Sequence, residues 1–155
     1  MAKGNEKLNA LELLKQDHAK VKQSFKEFEK MDHEDEATMQ EMVRAVCAEL
    51  KAHTTIEEEI FYPAVRAAIE DEDLMNEAQV EHASAKDLIA QLEGMQPDDP
   101  LYSATFTVLG EYVLHHVKEE ESEMFPQVRK AKLDLEELGA KIMARKQQIL
   151  ESMPA

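Results

Sequence analysis

Four times along this chain, apolar residues recur at steps of three and four, and each time a histidine takes one place in the apolar row. Leu11, Leu14, His18, Val21, Phe25 and Phe28 make the first row and predict a helix from about residue 9 to 30. The second row is Met39, Met42, Val46, Leu50, His53, Glu57, Ile60 and Ala64. Met75, Ala78, His82, Ala85, Ile89 and Leu92 form the third, closed by Gly94 and the turn-forming run Gln96 to Pro100. Phe106, Leu109, Val113, His116, Glu120 and Met124 form the fourth. The apolar row of a helix faces the core, so four histidines and two glutamates are predicted to point inward. A fifth row, Leu135, Leu138, Ile142 and Ile149, begins after Asp134, a suitable N-cap, and carries no such His or Glu. It is expected to lie across one side or end of the bundle, or to form an oligomer contact.

Turn formers are scarce, with four Gly and five Pro, while straight-chain residues that lose little rotamer freedom in helices are abundant. The fold class is therefore all-α: a four-helix bundle over about residues 8–130 with an additional C-terminal helix over about 134–152. At 155 residues the chain is expected to be one domain with a core large enough to need no disulfide.

Within that frame one chemical unit is written twice. His53-Thr-Thr-Ile-Glu57 is followed by Pro63, and His116-Val-Lys-Glu-Glu120 by Pro126, each proline six residues after its glutamate. His18 precedes His53 by 35 residues and His82 precedes His116 by 34. Residues four apart on a helix are separated by about 40° and one turn, so each His-x-x-x-Glu can aim a nitrogen and an oxygen at one place. Helices packed about 8–10 Å apart let such arms share an ion. Four imidazoles and two carboxylates serve two ions if Glu57 and Glu120 both bridge, with two nitrogens and two oxygens for each. An oxo or hydroxo bridge from solvent supplies a fifth donor and leaves a position open for oxygen, peroxide or nitric oxide. The mixed nitrogen and oxygen set suits iron more than calcium or magnesium, and manganese and zinc accept the same donors. Burying these six groups without a cation costs several kcal/mol per unpaired ion. The two prolines, late in their helices, are expected to kink or end them.

Charge narrows the partners. Thirty-three acidic residues against 18 basic ones give a formal charge of −15, which repels polyanions, so neither nucleic acid nor an anionic membrane surface is expected. A lone Cys47 cannot pair within the chain, and Met1 to Gln16 contain no continuous apolar run, which together predict a reducing, cytoplasmic setting.

The ordered set His18, His53, Glu57, His82, His116 and Glu120 resembles the hemerythrin-like, or HHE cation-binding, family. The resemblance covers about residues 8–130. It implies an antiparallel up-and-down four-helix bundle around a non-haem di-iron centre, with those six residues as ligands and Glu57 and Glu120 as bridges. Oxygen-carrying members have two histidines four apart on the third helix, where this chain has His82 and Lys86. They also place the last carboxylate five residues after its histidine, against four here, a step that only His115 with Glu120 or His116 with Glu121 restores. The resemblance therefore points away from simple oxygen carriage and toward a sensor, scavenger or iron-handling factor. The alternatives are a di-iron enzyme with peroxidase, catalase-like or ferroxidase activity, and a metal-free interaction module. Glu58 and Glu121 are candidates for the layer behind the ligands, and His115, beside the row, is open as a fifth nitrogen, a donor in that layer or a surface histidine. Tyr62 and Tyr112 are open to approaching the centre, although tyrosine on a bundle helix is usually packing, and His33 is read as solvent-exposed.

Overall fold

The computed structural model describes residues 9–153, so the readings made for Met1 to Leu8 and for the last two residues lie outside it. Every regular element among the described residues is helical: α1 (Ala10–Lys30), α2 (Glu36–Ile56), α3 (Tyr62–Ala68), α4 (Glu72–Glu93), α5 (Tyr102–Glu119), α6 (Phe125–Lys130) and α7 (Leu135–Ser152). Two five-residue π segments, Glu57–Phe61 and Glu120–Met124, join α2 to α3 and α5 to α6 without a break. The chain thus builds four long rods, connected up and down, and a fifth rod, α7.

Local chemistry sets the starts of these rods. Asn9 and Glu12 form a reciprocal capping box on α1, satisfying two backbone N–H groups that the helix leaves open. Asp35, Asp71 and Asp134 each accept from the backbone N–H three residues on, fixing the starts of α2, α4 and α7. The prediction for Asp134 holds.

Neither proline ends its rod. Pro63 and Pro126 have no N–H to give and their rings crowd the preceding turn, and the wider π turn just before each absorbs the defect. Tyr62 N–H reaches back five residues to the Glu57 carbonyl, and Phe125 N–H does the same to Glu120.

Most of the predicted rows are buried. On α2 it is Val43, not Met42, that turns inward. Past Glu57 the π turn shifts the row by one residue, so that Phe61 and Val65 are buried while Ile60 and Ala64 are half-buried. His116 and Leu135 are half-buried as well. The core falls into two apolar clusters. One holds Leu11, Leu14, Ile56, Phe61 and Phe125 with Leu138, Ile142 and Ile149 of α7. The other holds Val21, Phe25, Phe28, Leu50, Ile89, Phe106 and Leu109. The inward histidines and glutamates form a polar band between them. α7 covers a side of the bundle, against α1 and α2, rather than an end. Cys47 is buried in the second cluster, where burial pushes its thiol up to about 12 and leaves it inert. No helix among the described residues is long and apolar enough to cross a membrane.

Gly110 on α5 marks a close approach in that second cluster. A Cβ there would stand 2.9 Å from Cδ1 of Phe25, whose ring is held against Phe106 at a centroid distance of 4.9 Å. Gly110→Ala is expected to lose about 1–2 kcal/mol in urea unfolding, because overpacking of ~1–3 kcal/mol outweighs a helix-propensity gain of at most ~1 kcal/mol. A midpoint at or above the parent's would contradict this.

Candidate metal centre

All six predicted residues meet in the polar band. His18, His53, His82, Glu57 and Glu120 are buried, and His116 is 12% exposed in its side chain. Each glutamate reaches a histidine on either side. Glu57 places Oε2 3.3 Å from His53 Nε2 and Oε1 2.9 Å from His82 Nε2. Glu120 places Oε1 3.1 Å from His18 Nε2 and Oε2 3.3 Å from His116 Nε2. The rings pair accordingly, with centroids 5.1 Å apart for His18 and His53 and 4.9 Å apart for His82 and His116. The centre therefore has two halves spanned by two carboxylates.

Outside the ring of Nε2 atoms runs a second circuit. Each imidazole Nδ1 donates to a carboxylate from a neighbouring rod: His53 to Asp17 at 2.8 Å, His82 to Glu58 at 2.8 Å, His116 to Glu81 at 2.5 Å and His18 to Glu121 at 2.6 Å. A carboxylate only accepts, so Nδ1 must carry the proton, and every Nε2 is turned toward the centre. Glu58 and Glu121 stand where the sequence placed them, behind the histidines. Asp17 and Glu81 were missed. They are the residues just before His18 and His82, and the duplicated carboxylate-His pair at 17–18 and 81–82 was the signal available. His115 lies elsewhere. Its side chain is 62% exposed, with Nε2 3.3 Å from Glu119 and 3.8 Å from Glu81, and it touches none of the four inward imidazoles.

The halves differ in one residue. Tyr62 follows Glu57 by five, as Phe125 follows Glu120 by five. An α-helical step of five turns a side chain about 140° off the row, but the π turn brings both aromatics back toward the centre. The Tyr62 hydroxyl lies 3.1 Å from Glu57 Oε1, 3.2 Å from His82 Nε2 and 3.0 Å from His116 Nε2, and donates to Glu120. Phe125 instead stacks its ring on His18, with centroids 6.1 Å apart. Tyr62 is thus a member of the site rather than packing alone. Tyr112 is half exposed at the edge of a small cavity of about 30 Å³ beside the four imidazoles, walled by Val21, Leu50, Ala85 and Val113.

Electrostatically the band is a knot of opposed charges. Burial pushes the His53 imidazole down, yet the Glu57 and Asp17 carboxylates outweigh it and lift it to about 10. His116 is lifted to about 11 by Glu120 and Glu81 against the same burial. Glu57 and Glu120, which burial alone would raise, are both held below the usual carboxylate range by these histidines. Burial and the two glutamates push the Tyr62 hydroxyl well above its ordinary range, so it stays a donor. Four buried atoms still have no hydrogen-bond partner: Nε2 of His18 and His53, Oε2 of Glu57 and Oε1 of Glu120. One donor atom from each of these four residues lies within 4.8 Å of all the others, and the same holds for Glu57, His82 and His116. Orphaned buried donors of mixed nitrogen and oxygen type, converging on a common space, fit a cation.

Fold and centre together define a helical-bundle metal protein, with His and Glu groups able to hold a metal ion. The hemerythrin HHE cation binding domain matches residues 9–128, and the chain belongs to that family. A crystal structure of a hemerythrin HHE cation binding domain-containing protein from Mycobacterium kansasii is similar, with a TM-score of 0.80 and 28% identity over 94% of this chain and 89% of that one. A protein of Nostoc sp. named DNA nickase is 30% identical over 122 residues. That match takes in 79% of this chain but 34% of the Nostoc protein, so the chain spans about a third of the length of this curated relative.

Proposed function

We propose that this chain is a non-haem di-iron protein that binds a small oxidant or nitric oxide and acts as a sensor, scavenger or iron-handling factor. The observation that carries the reading is the pair of buried carboxylates, each reaching one histidine of either half. His18 and His53 would hold one ion and His82 and His116 the other, with Glu57 and Glu120 shared and the Tyr62 hydroxyl donating to those carboxylates. Charge supports two ions rather than one. Six carboxylates touch the four imidazoles, and Lys146 and Lys86 offset two of them. With neutral imidazoles four negative charges are left, which two divalent cations would neutralise. Once bound, such a pair supplies redox capacity and Lewis acidity toward a small ligand. The protein's share is to fix donor geometry through the outer carboxylates, to hold the buried Tyr62 hydroxyl proton among Glu57, Glu120, His82 and His116, and to present an apolar cavity beside the imidazoles. Its volume of about 30 Å³ admits one or two water-sized molecules and no larger organic substrate.

Reconstitution with ferrous salt followed by exposure to air tests the reading. Two irons per chain are expected, with charge-transfer absorption of paired ferric ions in the near ultraviolet. A chain that takes up no iron under these conditions contradicts the reading.

Turnover is the second reading, peroxide breakdown or iron oxidation at the same centre. The cavity beside the imidazoles favours it over a purely structural metal, because a structural site has no use for an open approach. Peroxide consumption that survives Glu57→Ala unchanged would rule it out. DNA nicking is not carried over from the Nostoc protein, since this chain corresponds to a third of it and its charge of −15 opposes a polyanion.

A further inference from the structure

The helix outside the family domain reaches the centre. The family match ends at residue 128, while α7 begins at Leu135. From α7, Lys146 places Nζ 2.5 Å from Asp17 Oδ1 and 3.4 Å from Glu49 Oε1, and the other oxygen of Asp17 accepts from His53 Nδ1 at 2.8 Å. The side chains of Lys146 and Asp17 are 21% and 13% exposed, so solvent screens their pairing little. In the opposite half Lys86 does the same from within the bundle, 2.6 Å from Glu58, which accepts from His82. Among the described residues no Lys or Arg pairs with Glu81 or Glu121, the carboxylates behind His116 and His18. Each half thus has one histidine backed by a carboxylate and a lysine, and one backed by a carboxylate alone. The bundle supplies the lysine for one half only.

We propose that Lys146 is a positioning residue for the ion of the His18 and His53 half, and that α7 serves to complete that half of the centre. This rests on the two-ion reading above. The ammonium pins Asp17 between α1 and α7, which fixes the ring of His53 and the aim of its Nε2. Without Lys146 the Asp17 carboxylate is free to turn to solvent, and His53 loses its outer anchor. A carboxylate that holds a metal-ligating imidazole is worth about ten- to a hundredfold in metal affinity, and Lys146 acts by holding that carboxylate, Asp17.

The test uses the full chain loaded with ⁵⁷Fe(II) without air, then challenged with a ferrous chelator. Lys146→Met is expected to release one iron per chain about ten- to a hundredfold faster than the parent, with the second at the parent rate, and to move one of two Mössbauer doublets. Lys146→Arg restores both readouts, since a guanidinium can span Asp17 and Glu49. Lys86→Met affects the other iron. Arg145→Met controls for helix docking, because Arg145 pairs with Glu59 through two hydrogen bonds of 2.8 and 3.3 Å and touches no histidine. It is expected to lower stability while leaving both doublets in place. If Lys146→Met behaves like Arg145→Met, or loosens both irons equally, the assignment is overturned while the di-iron reading stands. A parent chain that takes up no iron overturns both.

Discussion

Glu120→Gln is expected to abolish stable loading of the pair. The carboxylate of Glu120 is shared between His18 and His116, is fully buried, and accepts from Tyr62. Gln keeps the shape but removes the charge and turns one acceptor into a donor pointed at Nε2 of a histidine. Removing one partner of a buried ionic cluster costs about 3–5 kcal/mol, which is at least ~100-fold in affinity for each ion it touches. Because the oxygens serve both halves, both ions should weaken together, and the measurement is iron per chain after gel filtration at micromolar protein. Glu57→Gln is expected to do the same, since Glu57 serves His53 and His82. Glu59→Gln, on an exposed face beside Arg145, should keep full loading. Loss of one iron only from Glu120→Gln would show that the two carboxylates do not bridge.

The second large effect concerns stability. The polar band separates the two apolar clusters and holds four buried polar atoms for which the protein itself supplies no hydrogen-bond partner. An ion bound only by the folded state adds about 4 kcal/mol when present at a thousand times its Kd, so two ions add ~8 kcal/mol. For a chain of this size each kcal/mol moves Tm by about 2–4 °C. Iron loading is therefore expected to raise Tm on the order of 20 °C, and chelation to remove the gain. Equal melting curves with and without metal would favour the metal-free interaction module, in which the inward histidines only pack.

Much of this was legible because helical periodicity is a one-dimensional signal. His18, His53, His82 and His116 fall on apolar rows, and the i,i+4 spacing of both His-Glu arms survives into the fold because it lies within regular helix up to the glutamate. The row of α7 was equally readable as a helix, capped by Asp134. What escaped depends on interruptions or on rotational setting. The place of Tyr62 stayed open between packing and approach to the centre, because an α-helical count turns it away from Glu57 and the π turn that brings it back arises where Pro63 must be accommodated. Asp17 and Glu81 sit one residue off the row, and which neighbouring imidazole they meet is fixed by how the rods are rotated against each other. Lys146 has no meaning before α7 is docked on α1 and α2. His115, read beside the row as a fifth nitrogen, a donor behind the ligands or a surface histidine, rotates about 100° from His116 and takes the last of these places.

Anomalous scattering at the iron edge, from crystals of the reconstituted chain, bears most directly on the central claim. Two peaks are expected, one between His18 and His53 and one between His82 and His116, with Glu57 and Glu120 reaching both and a separation of about 3.5–4 Å typical of paired metals. Crystals from iron-saturated solution with no peak within reach of the four imidazoles would contradict it.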